Sequence, residues 1–167
     1  QVKLHNYSFR NNGNLTFTDV TSDWGLETPT FSNGAAYADF DNDGAMDMVI
    51  NNINSEALLY RNTLRHKVTT NTHFLQINFK GNNKNINGIG AVATIYYNHG
   101  KLQAYENNPY RGYISSDENI AHFGLGKTTI VDSVVIKWYN GKAQTINNVK
   151  ANQVLKVDIA DANETIY

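Results

Sequence analysis

Residues 39–47 read Asp-Phe-Asp-Asn-Asp-Gly-Ala-Met-Asp, and this stretch carries the strongest structural signal in the chain. Its four acids fall at the first, third, fifth and ninth positions of a curled loop, namely Asp39, Asp41, Asp43 and Asp47. Calcium is a hard cation that takes about six to eight oxygen ligands, and carboxylates at this spacing converge on one point. Gly44 permits the sharp turn, and Ala45 can offer its backbone carbonyl. The stretch therefore predicts a Ca2+ site.

The segments beside this loop distinguish it from an EF-hand. An EF-hand requires a bidentate Glu at its twelfth position, where this chain has Ile50. Residues 35–38 and 48–50 have the composition of strands, so we expect a strand–loop–strand site. The other interpretation is a solvated acidic turn. Four carboxylates within nine residues repel one another, and a divalent ion that removes this repulsion would also order the loop.

Composition and charge exclude several classes of protein. The 167 residues contain 14 Lys and Arg against 15 Asp and Glu, for a net charge of -1. This balance lacks the basic surface of a nucleic-acid binder, so we expect no nucleic-acid partner. No apolar run approaches the roughly 18 residues of a membrane-spanning helix, and we expect no transmembrane segment. The chain has no cysteine, which excludes disulfides and thiolate metal sites.

Short alternating segments separated by turn signals predict an all-β chain. In residues 74–80, Leu75, Ile77 and Phe79 share one face of a strand, and the intervening polar residues share the other. Residues 131–139 and 153–159 alternate in the same way. Asn-Gly pairs, which suit tight hairpin turns, recur at residues 12–13, 33–34, 87–88 and 140–141.

Two groups of motifs resemble known families. Residues 34–44, 46–50 and 59–62 are similar to an FG-GAP/VCBS-type repeat, and Ala45 stands where many members have another acid. In the second half the chain resembles the ASPIC/UnbV domain, on residues 88–91, 111–116, 122–126, 131–138 and 140–141. The first resemblance implies one blade of a β-propeller with Ca2+ between two of its strands. Together they imply an extracytoplasmic, calcium-binding module that is not an enzyme.

The polar segment around residues 65–72 marks a predicted domain boundary. We expect residues 1–68 to hold the tail of one propeller blade plus one nearly complete blade, and residues 69–167 to form a small antiparallel β-sandwich. A propeller ring needs about four to eight blades, so we expect this to be the C-terminal part of a longer protein whose other blades are its partners. Weak calcium sites fill only where calcium is abundant, which favours an extracellular, cell-surface or periplasmic location.

One histidine prompts an enzymatic alternative. His122 stands near Ser115, Ser116 and Asp117 in sequence, so a hydrolase, or an accessory domain of an enzyme, can be imagined. No Gly-x-Ser-x-Gly nucleophile motif is present, and we expect no catalytic residue. The other histidines show no paired ligand spacing, and a zinc site is not expected.

Aromatic residues near Asn-rich turns suggest a binding role. Tyr110, Tyr113, Trp138 and Tyr139 are the candidates. Their rings could stack on a surface glycan or contact a protein ligand, as in an adhesion module with carbohydrate-binding activity. The alternative is that these rings fill the core of a small sandwich.

Overall fold

The computed structural model describes residues 2–66, 71–110 and 116–165, and these residues are all-β, as predicted. The strands are β1 (Phe9–Asn11), β2 (Phe17–Asp19), β3 (Ser32–Ala38), β4 (Asp47–Asn52), β5 (Leu58–Tyr60), β6 (His73–Lys80), β7 (Val92–Tyr97), β8 (Lys101–Glu106), β9 (Ile120–Gly126), β10 (Ile130–Lys137), β11 (Lys142–Lys150), β12 (Gln153–Asp158) and β13 (Glu164–Thr165). Helix in this described part is confined to two short 3-10 helices, Thr63–His66 and Ile159–Asp161. Neither these nor any other described segment forms a helix long and apolar enough to cross a membrane.

The chain divides into two compact units. The first comprises the residues up to Tyr37 together with Asp47–Arg61, and it contains the β1-β2 hairpin and most of the three-stranded sheet β3-β4-β5. In the hairpin β1 runs antiparallel to β2 on either side of the turn at Gly13, whose φ is +78°. The Asn33-Gly34 pair, expected in a turn, lies inside β3, because such a pair favours a turn without excluding extended backbone.

The second unit comprises Ala38–Met46 and the residues from Asn62 onward, and it is a small β-sandwich. One sheet has the strand order β13-β11-β10-β7-β8 and the other has the order β12-β6-β9. Side chains from both sheets meet in a single apolar core. Its fully buried members of largest volume include Leu75, Ile77, Ile95, Phe123, Val131, Val134, Ile136 and Val157.

One ladder of the sandwich is parallel. β12 pairs with β6 in the parallel sense, whereas β9 pairs with β6 in the antiparallel sense. The sandwich was expected to be antiparallel, and this one ladder departs from that expectation. Alternation of apolar and polar residues gives the same pattern for both strand directions, so it could not indicate the difference.

The central strand of the smaller sheet is buried on both faces at one point. Leu75, Ile77 and Phe79 of β6 point into the core, as their alternation predicts. Gln76 lies on the opposite face, where a polar residue was expected to meet solvent, yet it is only 6% exposed. Gln76 is paired directly across from His122 of β9, so the two side chains project from the same outer face of the sheet.

Two isoleucines on β10 provide a test of this core. Ile136 is fully buried, whereas Ile130 is about half exposed. We expect Ile136→Ala to lower the free energy of unfolding by about 2–5 kcal/mol, because it leaves a cavity in the core. We expect Ile130→Ala to lower it by no more than about 0.5 kcal/mol. Urea denaturation measures both values, and equal losses would contradict the placement of β10.

Candidate metal centre

The loop between β3 and β4 is folded around the carboxylate of Asp39. Its Oδ1 accepts a hydrogen bond from the Asp43 backbone N–H at 3.0 Å, and its Oδ2 accepts one from the Gly44 N–H at 2.9 Å. The Ala45 N–H donates to Oδ1 of Asp43 at 2.8 Å. Gly44 has a φ of +86°, in the left-handed region that favours glycine. The loop thus turns back on itself at the positions that the acidic spacing predicted.

This turn brings three predicted ligands together. The carboxylates of Asp39, Asp41 and Asp47 each place one oxygen within 4.8 Å of the other two. Asp39 and Asp47 are buried. Carboxylates this close repel one another strongly when they are removed from water. Such a group of oxygens fits a hard divalent cation.

The fourth acid also has an oxygen suited to a cation. Oδ1 of Asp43 accepts the hydrogen bond from the Ala45 N–H. Oδ2 of Asp43 is buried, and no hydrogen bond from the described residues reaches it. His66 Nε2 lies 3.2 Å from this oxygen, close enough for an ion pair when the imidazole is protonated, although the contact lacks hydrogen-bond geometry. A buried carboxylate oxygen left without a donor is costly, and a bound cation would remove that cost.

His66 is a site residue that sequence analysis missed. Ligand atoms of Asp41, Asp43 and His66 lie within 4.8 Å of one another. The 3-10 helix Thr63–His66 brings this imidazole to the loop, and in the same helix Arg65 donates from Nε to the Asp43 carbonyl at 3.1 Å. No spacing in the sequence indicated this, because the neighbouring ligands are far away along the chain.

The acidic loop rests on the outer face of the smaller sandwich sheet. Gln76 donates from Nε2 to Asp39 Oδ2 at 2.9 Å, which explains why Gln76 is buried. Gly44 lies against the ring of Phe74, so a Cβ at this glycine would stand only 2.0 Å from Phe74 Cε1. The guanidinium of Arg65 lies over the same ring, 5.3 Å from its centroid. Residues 38–46 accordingly belong to the sandwich unit.

His122 belongs to this same surface. Its ring stacks on Phe74 with centroids 5.9 Å apart, and its Nδ1 lies 3.3 Å from Gln76 Nε2. Burial lowers the pKa of His122, while the charge of Asp39 acts in the opposite direction. Of the two serines considered with His122, Ser115 lies outside the described residues and Ser116 is exposed. That His122 is not catalytic stays a prediction.

A further acid adds negative charge beside Asp39. Burial raises the pKa of Glu118, a hydrogen bond from the Asp39 backbone N–H lowers it, and the charges of Asp39 and Asp117 raise it again. Oε1 of Glu118 is buried, and among the described residues it has no hydrogen-bond partner. The surroundings of the loop are therefore electronegative, which favours a cation.

The predicted ligand-binding aromatics fall in different environments. Trp138 is 3% exposed, packs edge-on against Phe79 and donates from Nε1 to Gln144 Oε1 at 3.2 Å. This corrects the expectation for Trp138, because a ring buried in the core offers no face to a ligand. Tyr110 and Tyr139 are exposed. Tyr113 lies outside the described residues.

Two glycines with similar backbone angles test the contact of the loop with Phe74. Gly44 and Gly141 have φ values of +86° and +79°, but a Cβ at Gly141 would meet no described atom within 4 Å. We expect Gly141→Ala to cost about 1 kcal/mol of stability from backbone strain. Gly44→Ala should cost about 1–3 kcal/mol more, since the ring of Phe74 must leave its stack on His122. Equal losses in thermal unfolding would show that the loop does not rest on this ring.

Comparison with family models confirms both resemblances. An FG-GAP-like repeat matches residues 4–50, a range that includes the acidic loop. The model for ASPIC and UnbV matches residues 81–164, about half of the chain. No curated protein matches the chain significantly. With an FG-GAP-like repeat followed by this domain, the chain belongs to the ASPIC and UnbV family.

Proposed function

We propose that the chain is an extracytoplasmic, non-enzymatic calcium-binding module whose ion is held by residues 39–47. The observation that supports this most strongly is the convergence of oxygens from Asp39, Asp41 and Asp47 within 4.8 Å. Asp43 would add its buried Oδ2, and Ala45 its backbone carbonyl. All of these groups belong to one short turn, which the Asp39 carboxylate closes through hydrogen bonds to Asp43 and Gly44.

The chemistry of these ligands favours calcium over other common metals. Calcium accepts many oxygen ligands in flexible geometry, whereas magnesium retains several waters and is usually bound by only one or two carboxylates. Zinc prefers nitrogen and sulfur ligands in a tetrahedral arrangement. The loop offers four carboxylates, and His66 is the imidazole that lies beside them in the described part of the chain. A predominantly oxygen site of this kind matches calcium best.

The role we propose for the ion is structural. If the dissociation constant is about 10⁻⁴ M and calcium is present at about 10⁻³ M, binding stabilises the fold by roughly 1.4 kcal/mol. A site with this affinity would fill only where calcium is abundant, so the proposal includes an extracellular, cell-surface or periplasmic location. The ion would act by removing the repulsion among the loop carboxylates.

For the module as a whole we propose a role in adhesion or ligand binding. In the sandwich unit the exposed rings of Tyr110 and Tyr139 are candidates to contact a glycan or a protein. In the first unit, Phe9, Phe17 and Trp24 are more than half exposed. Large apolar side chains are usually covered, and we propose that further propeller blades of a longer chain cover them.

Removing charge from the loop tests calcium binding. Added calcium should raise the melting temperature of the wild-type chain by roughly 3–6 °C, which corresponds to the linkage above, and a chelator should reverse the shift. The double substitution Asp41→Asn with Asp43→Asn should abolish this response, because it removes two charges but keeps an amide oxygen to accept the Ala45 N–H.

A matched control is the pair Asp23→Asn and Asp132→Asn, which neutralises two exposed acids elsewhere in the chain. This variant should respond to calcium as the wild type does. A wild-type melting temperature that is the same in calcium and in chelator would contradict the proposed role of the ion.

Glycan recognition has a separate test. Tyr139 and Tyr96 are similarly exposed, at 41% and 39%. We expect the chain to bind a subset of glycans on an array in calcium buffer, and Tyr139→Ala to weaken that binding roughly tenfold, equal to about 1.4 kcal/mol. Tyr96→Ala should leave it unchanged. Failure to bind any glycan, or equal losses in the two variants, would refute the glycan-binding role of Tyr139.

A further inference from the structure

Gln76 is buried on the outer face of the sandwich by the acidic loop. Its amide nitrogen lies within hydrogen-bond distance of Asp39 Oδ2, at 2.9 Å, and of His122 Nδ1, at 3.3 Å. A glutamine amide nitrogen carries two hydrogens, so both contacts can be satisfied at once. The reversed amide would place its carbonyl oxygen against the carboxylate of Asp39, where no hydrogen lies between them. The carboxylate of Asp39 therefore fixes the orientation of the amide.

His122 contacts the Gln76 amide, and Phe74 in turn supports the His122 ring. Because the Gln76 nitrogen can only donate, Nδ1 of His122 must accept, and the proton of the neutral ring is then on Nε2. The ring is stacked nearly parallel on Phe74, with an interplanar angle of 6°. Gln76 and His122 also stand directly opposite each other on paired strands. The amide is thus held by side chains of two paired strands of the sandwich sheet.

Asp39 receives one hydrogen bond from outside its own loop that differs from the others. The hydrogen bonds from the N–H groups of Asp43 and Gly44 belong to the turn itself and form whenever the turn folds. The hydrogen bond from Gln76 instead comes from a strand of the sandwich sheet, and among the described side chains Gln76 alone makes such a bond to Asp39. A hydrogen bond to a buried carboxylate is charge-assisted and directional. It fixes the direction in which the remaining lone pairs of Asp39 point.

We propose that Gln76, supported by His122, is a positioning residue of the cation site, so that the sandwich sets the affinity of the loop for calcium. This inference rests on the proposed function, because it requires that the loop bind calcium. Residues that orient a metal ligand by hydrogen bonding typically change metal affinity by about 10–100-fold when they are replaced. Gln76 meets this description for Asp39, from a strand that lies outside the FG-GAP-like match.

The sandwich contains a matched control for this proposal. Gln144 is 6% exposed, as is Gln76, but its Oε1 accepts from the Trp138 indole within the sandwich. Methionine has nearly the same length as glutamine and cannot donate a hydrogen bond. Gln76→Met and Gln144→Met therefore both bury a thioether in place of an amide, and only the first removes a contact with Asp39.

Isothermal titration of the full chain with calcium chloride tests the proposal. We expect Gln76→Met to raise the calcium dissociation constant at least about tenfold, and Gln144→Met to change it less than about twofold. A dissociation constant for Gln76→Met equal to that of Gln144→Met would overturn the proposal. If the wild type itself binds no calcium, the proposed function fails instead, and the two failures are distinguished by this first titration.

A second variant keeps the test valid if Gln76→Met does not fold. His122→Phe retains a flat ring for the stack on Phe74 but has no acceptor for the Gln76 amide. We expect it to weaken calcium binding several-fold while circular dichroism shows an intact sandwich. Unchanged affinity in the folded His122→Phe variant would overturn the role assigned to the pair.

Discussion

The carboxylate of Asp39 is the group on which the acidic loop depends. It accepts hydrogen bonds from the backbone of Asp43 and Gly44 within the turn, and from the side chain of Gln76 on the sandwich sheet. A buried carboxylate requires such donors, since its desolvation is otherwise very costly. One side chain therefore shapes the loop and fastens it to the sheet.

This arrangement explains why the boundaries of the two compact units differ from the ends of the FG-GAP-like match. The FG-GAP-like match ends at residue 50, yet residues 38–46 within it belong to the compact unit that contains the sandwich. The reason is local packing. Phe74 closes over Gly44, Gln76 reaches Asp39, and Arg65 donates to the Asp43 carbonyl. Residues 38–46 therefore depend for their structure on side chains of the sandwich unit to which they belong.

Features that depend on local spacing could be predicted from the sequence. The acids of residues 39–47 converge because their spacing and Gly44 dictate a turn, and the inward faces of β6 and β10 follow from alternation. Features that depend on distant pairing could not be predicted. The position of His66 beside Asp43 and the burial of Gln76 both require knowing which segments meet in space. The ligand-binding role expected for Trp138 was wrong, although alternation places Trp138 on the same strand face as Val134 and Ile136, whose side chains are buried in the core.

The most direct test is a crystal structure of the chain grown with calcium and measured for anomalous scattering. We expect an anomalous peak among the carboxylates of residues 39–47, about 2.3–2.6 Å from oxygens of Asp39, Asp41 and Asp47, with the Gln76 amide still hydrogen-bonded to Asp39. If the loop has no peak at saturating calcium, or if its carboxylates are turned out to solvent, residues 39–47 do not form a calcium site.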